Sequence, residues 1–362
     1  MAENAKGGGG MAGQLPESFI EQLYNERKKV DVATHDFSVR ELVRMMDEEE
    51  LNVAPAYQRQ FRWDEQAESA FIESVFLGLP IPPIFVATNV GFQWEVVDGL
   101  QRLSTLAHFL AEDAEDAKAV SRKTPLVLTE LEKLSELNGV TYADLPKNLK
   151  VYFGRQPLQV ISLTDKSNLE VRFDVFERLN RGGIRLTAQE VRACVYRGEF
   201  NRFIEELAEN EMFSDLLKLK KVNTEDGTQV EQVLKFFAYK NRQGEFDGKV
   251  EKFLNRTMIE AQEGFDYEAE RTLFEKSVKF LHEACDGGPY LRAGTTTTPL
   301  VQFEACLVAI ARIYQEGKQP TISVPDWIED SELRISSGGG SNSRRMLDRR
   351  LTRARELFSG AA

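Results

Sequence analysis

Asp98-Gly99-Leu100-Gln101-Arg102 brings together, in one short run, the groups that a phosphate or nucleotide site requires. These are backbone N–H groups at a helix start, a glycine that permits close approach, a fork-shaped guanidinium and a carboxylate able to hold a hydrated metal. On this reading Gly99, Ser104 and Thr105 contact the phosphates, Arg102 grips them, Gln101 positions phosphate or water, and Asp98 is the candidate metal ligand. An exposed Arg102 of this kind would be dispensable for folding. The same residues also suit an ordinary Asp-Gly turn, with Arg102 paired to a nearby acid.

Two further segments carry similar chemistry. In Tyr57-Gln58-Arg59, followed by Phe61 and Trp63, aromatic faces can stack on a base while Arg59 meets phosphate, although aromatics near helices more often fill a core. Asn180-Arg181-Gly182-Gly183 feeds a capped helix and suits an anion near free backbone donors. A helix C-cap followed by an N-cap explains its glycines but not both Arg181 and Arg185. Glu190, in the helix that follows, is a second candidate for holding metal or orienting water.

Absences narrow the chemistry. There is no Gly-x-x-x-x-Gly-Lys-Ser/Thr and no His-Glu-x-x-His, and His35, His108 and His282 stand alone. His108, near the apolar face of its helix, reads as a packed or half-exposed residue rather than a general base.

The elements that must position these residues follow from capping and periodicity. Ser38 and Glu41 have capping-box spacing ahead of a helix carrying Val39, Leu42, Val43 and Met46, so ordered structure is expected from near Asp36. An Asp64-capped helix ends near Gly78. Runs 84–87 and 94–97 read as a hairpin, and Asp98-Gly99 turns the second strand into a helix with Leu103, Leu106, Ala107 and Leu110. One or two helices are expected in 111–150 and a strand over 158–163. Ser167 with Glu170, and Thr187 with Glu190, predict two more capped helices, and segments 201–220, 229–241, 250–263, 268–285 and 299–315 have helical spacing.

Four domains or segments result: a flexible tail and linker over 1–35, an α+β domain over 36–165, an α-helical domain over 166–335, and a Gly/Ser loop with a basic helix over 336–362. Arg344, Arg345, Arg349, Arg350, Arg353 and Arg355 form the only concentrated basic surface. It reads either as a solvated face balanced by acids or as a contact for DNA phosphates.

A length of 362 residues, 42% of them hydrophobic, suffices for a sizeable core, and a net charge of -12 argues against coating nucleic acid through global charge. Three scattered cysteines and the absence of a long apolar run or secretory signal fit a cytoplasmic, reducing setting without a membrane.

Four ordered motifs carry a resemblance: Tyr57-Gln58-Arg59 with Trp63; Gly78-Leu79-Pro80-Ile81-Pro82-Pro83; Asp98-Gly99-Leu100-Gln101-Arg102-Leu103-Ser104-Thr105-Leu106; and Phe176-Glu177-Arg178-Leu179-Asn180-Arg181-Gly182-Gly183 with Leu186 and Glu190. Together they resemble the GmrSD amino-terminal family over roughly 36–200. The resemblance implies a ParB/sulfiredoxin-like α+β module with an Asp-Gly-Gln-Gln-Arg motif, linked to nucleotide binding or hydrolysis in anti-phage restriction. Leu100 stands where that motif has its first glutamine. Many relatives add a His-Asn-His nuclease, for which no histidine cluster exists after His282.

The expectation is therefore an NTP-binding, Mg²⁺-dependent sensor or regulator, possessing weak NTPase activity and acting with a partner effector protein. The alternatives are a DNA-binding or DNA-cleaving restriction module using the same turn, and a non-catalytic, antitoxin-like partner.

Overall fold

The structure is a computed structural model that describes residues 17–52, 63–88, 92–118, 120–164, 166–167, 169–179, 187–220, 226–261 and 264–360. It is an α+β protein divided into two compact units, Met1–Arg172 and Phe173–Ala362. The sequence reading places the corresponding boundary at 165/166. The division instead falls inside a helix, α7 (Leu169–Leu179).

The first unit is a mixed five-stranded sheet with helices. Its strands are β1 (Val32–Ser38), β2 (Leu51–Asn52), β3 (Ile84–Thr88), β4 (Trp94–Asp98) and β5 (Pro157–Leu163), in the order β1-β5-β3-β4-β2. β3 and β4 are antiparallel, as the hairpin reading requires, with Thr88 opposite Trp94. β5 runs parallel to β3 and antiparallel to β1, and β2 parallel to β4.

Regular structure begins before the expected Asp36. α1 spans Glu17–Arg27, and β1 occupies the residues assigned to a linker. β1 reads weakly in sequence because Val32–Ser38 alternates only between exposed and half-buried positions, so its strand pattern has no strong apolar side.

α2 (Val39–Asp47) is capped by Ser38, whose Oγ accepts the Glu41 N–H at 3.2 Å. α3 (Glu65–Phe76) is capped by Asp64 and stops before Gly78, which is left-handed at φ 63°. α4 (Leu100–Leu110) follows β4 directly, α5 (Ala114–Lys118) is short, and α6 (Lys147–Gly154) precedes β5. Ile84, Val86 and Val96 from the sheet and Leu103, Leu106 and Phe109 from α4 are buried. Phe76, Phe109 and Phe153 meet with ring centroids 4.6–6.2 Å apart. The Ser167 hydroxyl has a tertiary partner: it accepts from the Asp31 N–H and donates to the Asp31 carbonyl, each at 2.9 Å.

The second unit is helical, as its periodicity predicts. It contains α8 (Ala188–Val195), α9 (Glu199–Ala208), α10 (Glu211–Leu216), α11 (Thr228–Arg242), α12 (Val250–Glu260), α13 (Tyr267–Ala284), α14 (Leu300–Gln315), α15 (Ser331–Ser336) and α16 (Arg344–Phe358). Thr187 and Glu190 close the predicted capping box on α8, and Ser343 caps α16. A row of alternating charges runs through this unit. Arg192 donates to Asn255 and Glu231, Glu231 lies 3.1 Å from Lys235, and Lys235 lies 3.1 Å from the buried Glu304. Among the described residues no helix is long and apolar enough to cross a membrane.

Candidate functional site

β4 ends at Asp98, and the chain reverses into α4 through Gly99, whose φ of 106° is left-handed. Glycine is required here twice over, since a Cβ would also meet Ile84 Cγ1 at 3.0 Å. α4 starts without a side-chain cap, although a helix start leaves several backbone N–H groups without intrahelical acceptors.

Arg102 turns back from the first turn of α4. Its Nη2 donates to Asp98 Oδ2 at 2.6 Å, and its Nη1 donates to the carbonyls of Pro82 and Pro83, the latter at 3.1 Å. The side chain is 11% exposed against 38% for Asp98. Burial pulls the Arg102 pKa down, opposed by Asp98 beside it, and a guanidinium stays charged throughout the physiological range. The ordinary-turn reading, with Arg102 paired to an acid, thus describes this geometry, and Arg102 is not the exposed residue expected. It ties the turn to the proline-rich segment ahead of β3.

Gln101 accepts the Trp63 N–H through Oε1 at 3.1 Å, which joins the motif to the end of the second candidate segment. The Trp63 indole packs edge-on against Phe71 of α3, with centroids 5.6 Å apart. Its carbonyl accepts from Arg122 Nη2 at 2.6 Å. Arg122 also reaches Glu68 at 3.3 Å, and both oxygens of Glu68 lie 3.1–3.2 Å from His108 Nδ1. His108 Nε2 donates to the Thr124 carbonyl at 2.9 Å.

His108 is therefore packed, as expected, but within a buried ionic group. Glu68 and Arg122 escaped the sequence reading. The available signal was a glutamate at helical spacing with the apolar side of its helix, Glu68 with Phe71, Ile72 and Val75, together with a lone histidine near another apolar face.

The remaining candidates are placed as follows. Ser104 and Thr105 lie on the buried side of α4, and Thr105 Oγ1 has no hydrogen-bond partner among the described residues. Glu190 belongs to the second unit, where its carboxylate accepts the Thr187 N–H at 2.6 Å in the capping box. Tyr57, Gln58, Arg59, Asn180, Arg181, Gly182 and Gly183 lie outside the described residues.

Two sequence-level alternatives meet specific geometry. Among the described residues no three His, Cys, Asp or Glu side chains converge as a metal cage would. The basic helix is tied to acids: Arg349 to Glu332 at 2.9 Å, Arg353 to Asp330 at 2.8 Å, and Arg355 to Glu316 at 2.7 Å. Arg350 is buried and donates to the Ser341 carbonyl at 2.5 Å. The solvated, acid-balanced reading of that helix fits these contacts better than a phosphate-binding face.

Comparison with known protein families matches residues 39–197 to the model described as GmrSD restriction endonuclease, N-terminal domain. No curated protein and no solved structure matches the chain. Residues 39–197 are thus similar to the N-terminal domain of GmrSD restriction endonucleases, which suggests a restriction-system component.

Proposed function

We propose that the GmrSD-like N-terminal domain of this chain binds a nucleoside triphosphate at the 98–102 turn, hydrolyses it slowly, and reports its presence to a separate effector in restriction-type phage defence. The observation that supports this most is the uncapped start of α4, delivered by a left-handed Gly99 next to a part-exposed Asp98. Backbone N–H groups there, aided by the helix dipole, favour an anion.

Asp98 would repel that anion if it acted alone. Its carboxylate suits a Mg²⁺ whose remaining oxygen ligands come from the phosphates and water, a type of site that needs no cage of protein carboxylates. Bound Mg²⁺ would offset phosphate charge. Within the chain, the α4 amides bind phosphate, Arg102 holds the Asp98 carboxylate in place, and Gln101 contributes its amide. Arg59 would grip further phosphate, and Tyr57 or Trp63 would flank the base.

The test is isothermal titration of the full chain with ATP, GTP, CTP and UTP, with and without Mg²⁺, alongside Asp98→Asn. Mg²⁺-dependent binding that is lost in Asp98→Asn, with phosphate release but no cut in DNA or RNA, is the expected result. No affinity for any of the four would overturn the reading. Salt-dependent DNA binding without nucleotide would then favour a DNA module, and co-purification of an effector would favour an antitoxin-like partner.

A further inference from the structure

We propose that Glu68, His108 and Arg122 are positioning residues for the 98–102 turn, acting through the peptide group of Trp63. That this serves nucleotide binding rests on the reading above. The Trp63 peptide is held from both ends by side chains. Gln101 accepts its N–H at 3.1 Å, and Arg122 donates to its carbonyl at 2.6 Å.

The Arg122 end is anchored in turn by a proton count. His108 lies between two acceptors, the Thr124 carbonyl at Nε2 and the Glu68 carboxyl at Nδ1. A carbonyl only accepts, so Nε2 carries a hydrogen. The short Nδ1 contact then needs one more proton, either on the ring, giving imidazolium beside carboxylate, or on Glu68, giving neutral imidazole beside carboxylic acid. Both arrangements leave the pair with zero net charge. Arg122 contacts this pair at Glu68 Oε1, 3.3 Å away, and its charge strengthens its bond to the Trp63 carbonyl.

The two grips share one helix. Gln101 and His108 both belong to α4 and are seven residues apart, close to two turns, so they lie on nearly the same side. α4 thus holds Trp63 directly through Gln101 and indirectly through His108, Glu68 and Arg122. The result is a fixed Gln101 within the motif. Glu68 is fully buried and His108 nearly so. An apolar pair of similar volume would often be as stable there, which is the reason to seek a role beyond packing.

Amide hydrogen exchange in the full-length chain tests this, with Leu103, whose N–H bonds to the Gly99 carbonyl at 2.9 Å, as an internal reference. Arg122→Gln, Glu68→Gln and His108→Gln should each speed exchange at the Trp63 amide about tenfold more than at Leu103. Arg122→Lys should restore part of the protection. The same variants, measured well below their unfolding temperatures, should weaken about tenfold the binding of the Mg²⁺-nucleotide that the wild type takes.

A purely structural role would move the Trp63 and Leu103 amides together and would overturn the proposal. So would selective loss of Trp63 protection with unchanged affinity in a wild type that binds nucleotide. If the wild type binds none of the four nucleotides, the functional reading fails. The clamp on Trp63 is then upheld or rejected by the exchange ratios alone.

Discussion

Arg102 directs its guanidinium at its own chain, bridging Asp98 and the carbonyls of Pro82 and Pro83. Removing it takes away a charge-assisted bond to Asp98 and the tie to the segment ahead of β3, so Arg102→Ala should cost about 2 kcal/mol in folding stability. Arg102→Lys should recover only part, because an ammonium does not reproduce a fork that spans separate acceptors. Denaturant unfolding reads both, and an Arg102→Ala chain as stable as wild type would refute the structural role. Any loss of nucleotide affinity in that variant must then be measured where the chain is still folded. The Asp-Gly turn and the Arg102-to-acid alternative were legible because they are local, four residues apart. Glu68, Arg122 and His108 were not, because their contacts span 40 and 54 residues and leave no trace in spacing.

At the level of elements, the basic helix α16 is fastened by Asp330, which accepts from Arg353 and also caps α15 through the Leu333 N–H at 2.8 Å. The hydrogen bond from Arg353 lowers the Asp330 pKa against the opposing effect of burial. A lowered carboxylate adds stability that is complete above its unfolded pKa of about 3.9 and is lost as pH falls through the folded value. Asp330→Asn should therefore destabilise the chain by about 1–2 kcal/mol at pH 7 and by much less near pH 2. Urea unfolding at the two pH values checks this, and an equal loss at both would remove the ion pair from the explanation.

Helices with strong local signals, such as those begun by Asp64, Thr187 and Ser343, were legible in the sequence. The tertiary bonds of Ser167 to the Asp31 backbone were not legible, because a local pattern does not reveal a partner 136 residues away.

At the scale of the whole molecule, the second unit depends on its row of alternating charges. Burial works against the charge on Lys235, but Glu304 and Glu231 outweigh it and raise its pKa. Burial likewise opposes ionised Glu231, and Lys235 and Arg192 more than compensate, so its pKa is lowered. The Lys235 contribution is fully present below about pH 10.4 and is lost as pH rises through the raised value; that of Glu231 is fully present above about pH 4.3 and is lost as pH falls through the lowered one. Lys235→Ala leaves Glu304 buried without this partner and should cost about 3–5 kcal/mol at pH 7. Trp327, the only tryptophan of the second unit, reports that loss by fluorescence during unfolding. A shift below about 1 kcal/mol would show that the row contributes little.

The strand order also dictates a schedule of synthesis. β5 lies between β1 and β3, yet it is made last of the five. About 125 residues separate the end of β1 at Ser38 from the end of β5 at Leu163, which at roughly 5–20 residues per second is a delay of about 6–25 s. During that interval the β3–β4 hairpin and α4 can form from adjacent chain, while β1 must wait for the strand that will join it to them. The 98–102 turn is thus available early to the nascent chain. The sheet that supports it closes only when β5 leaves the ribosome.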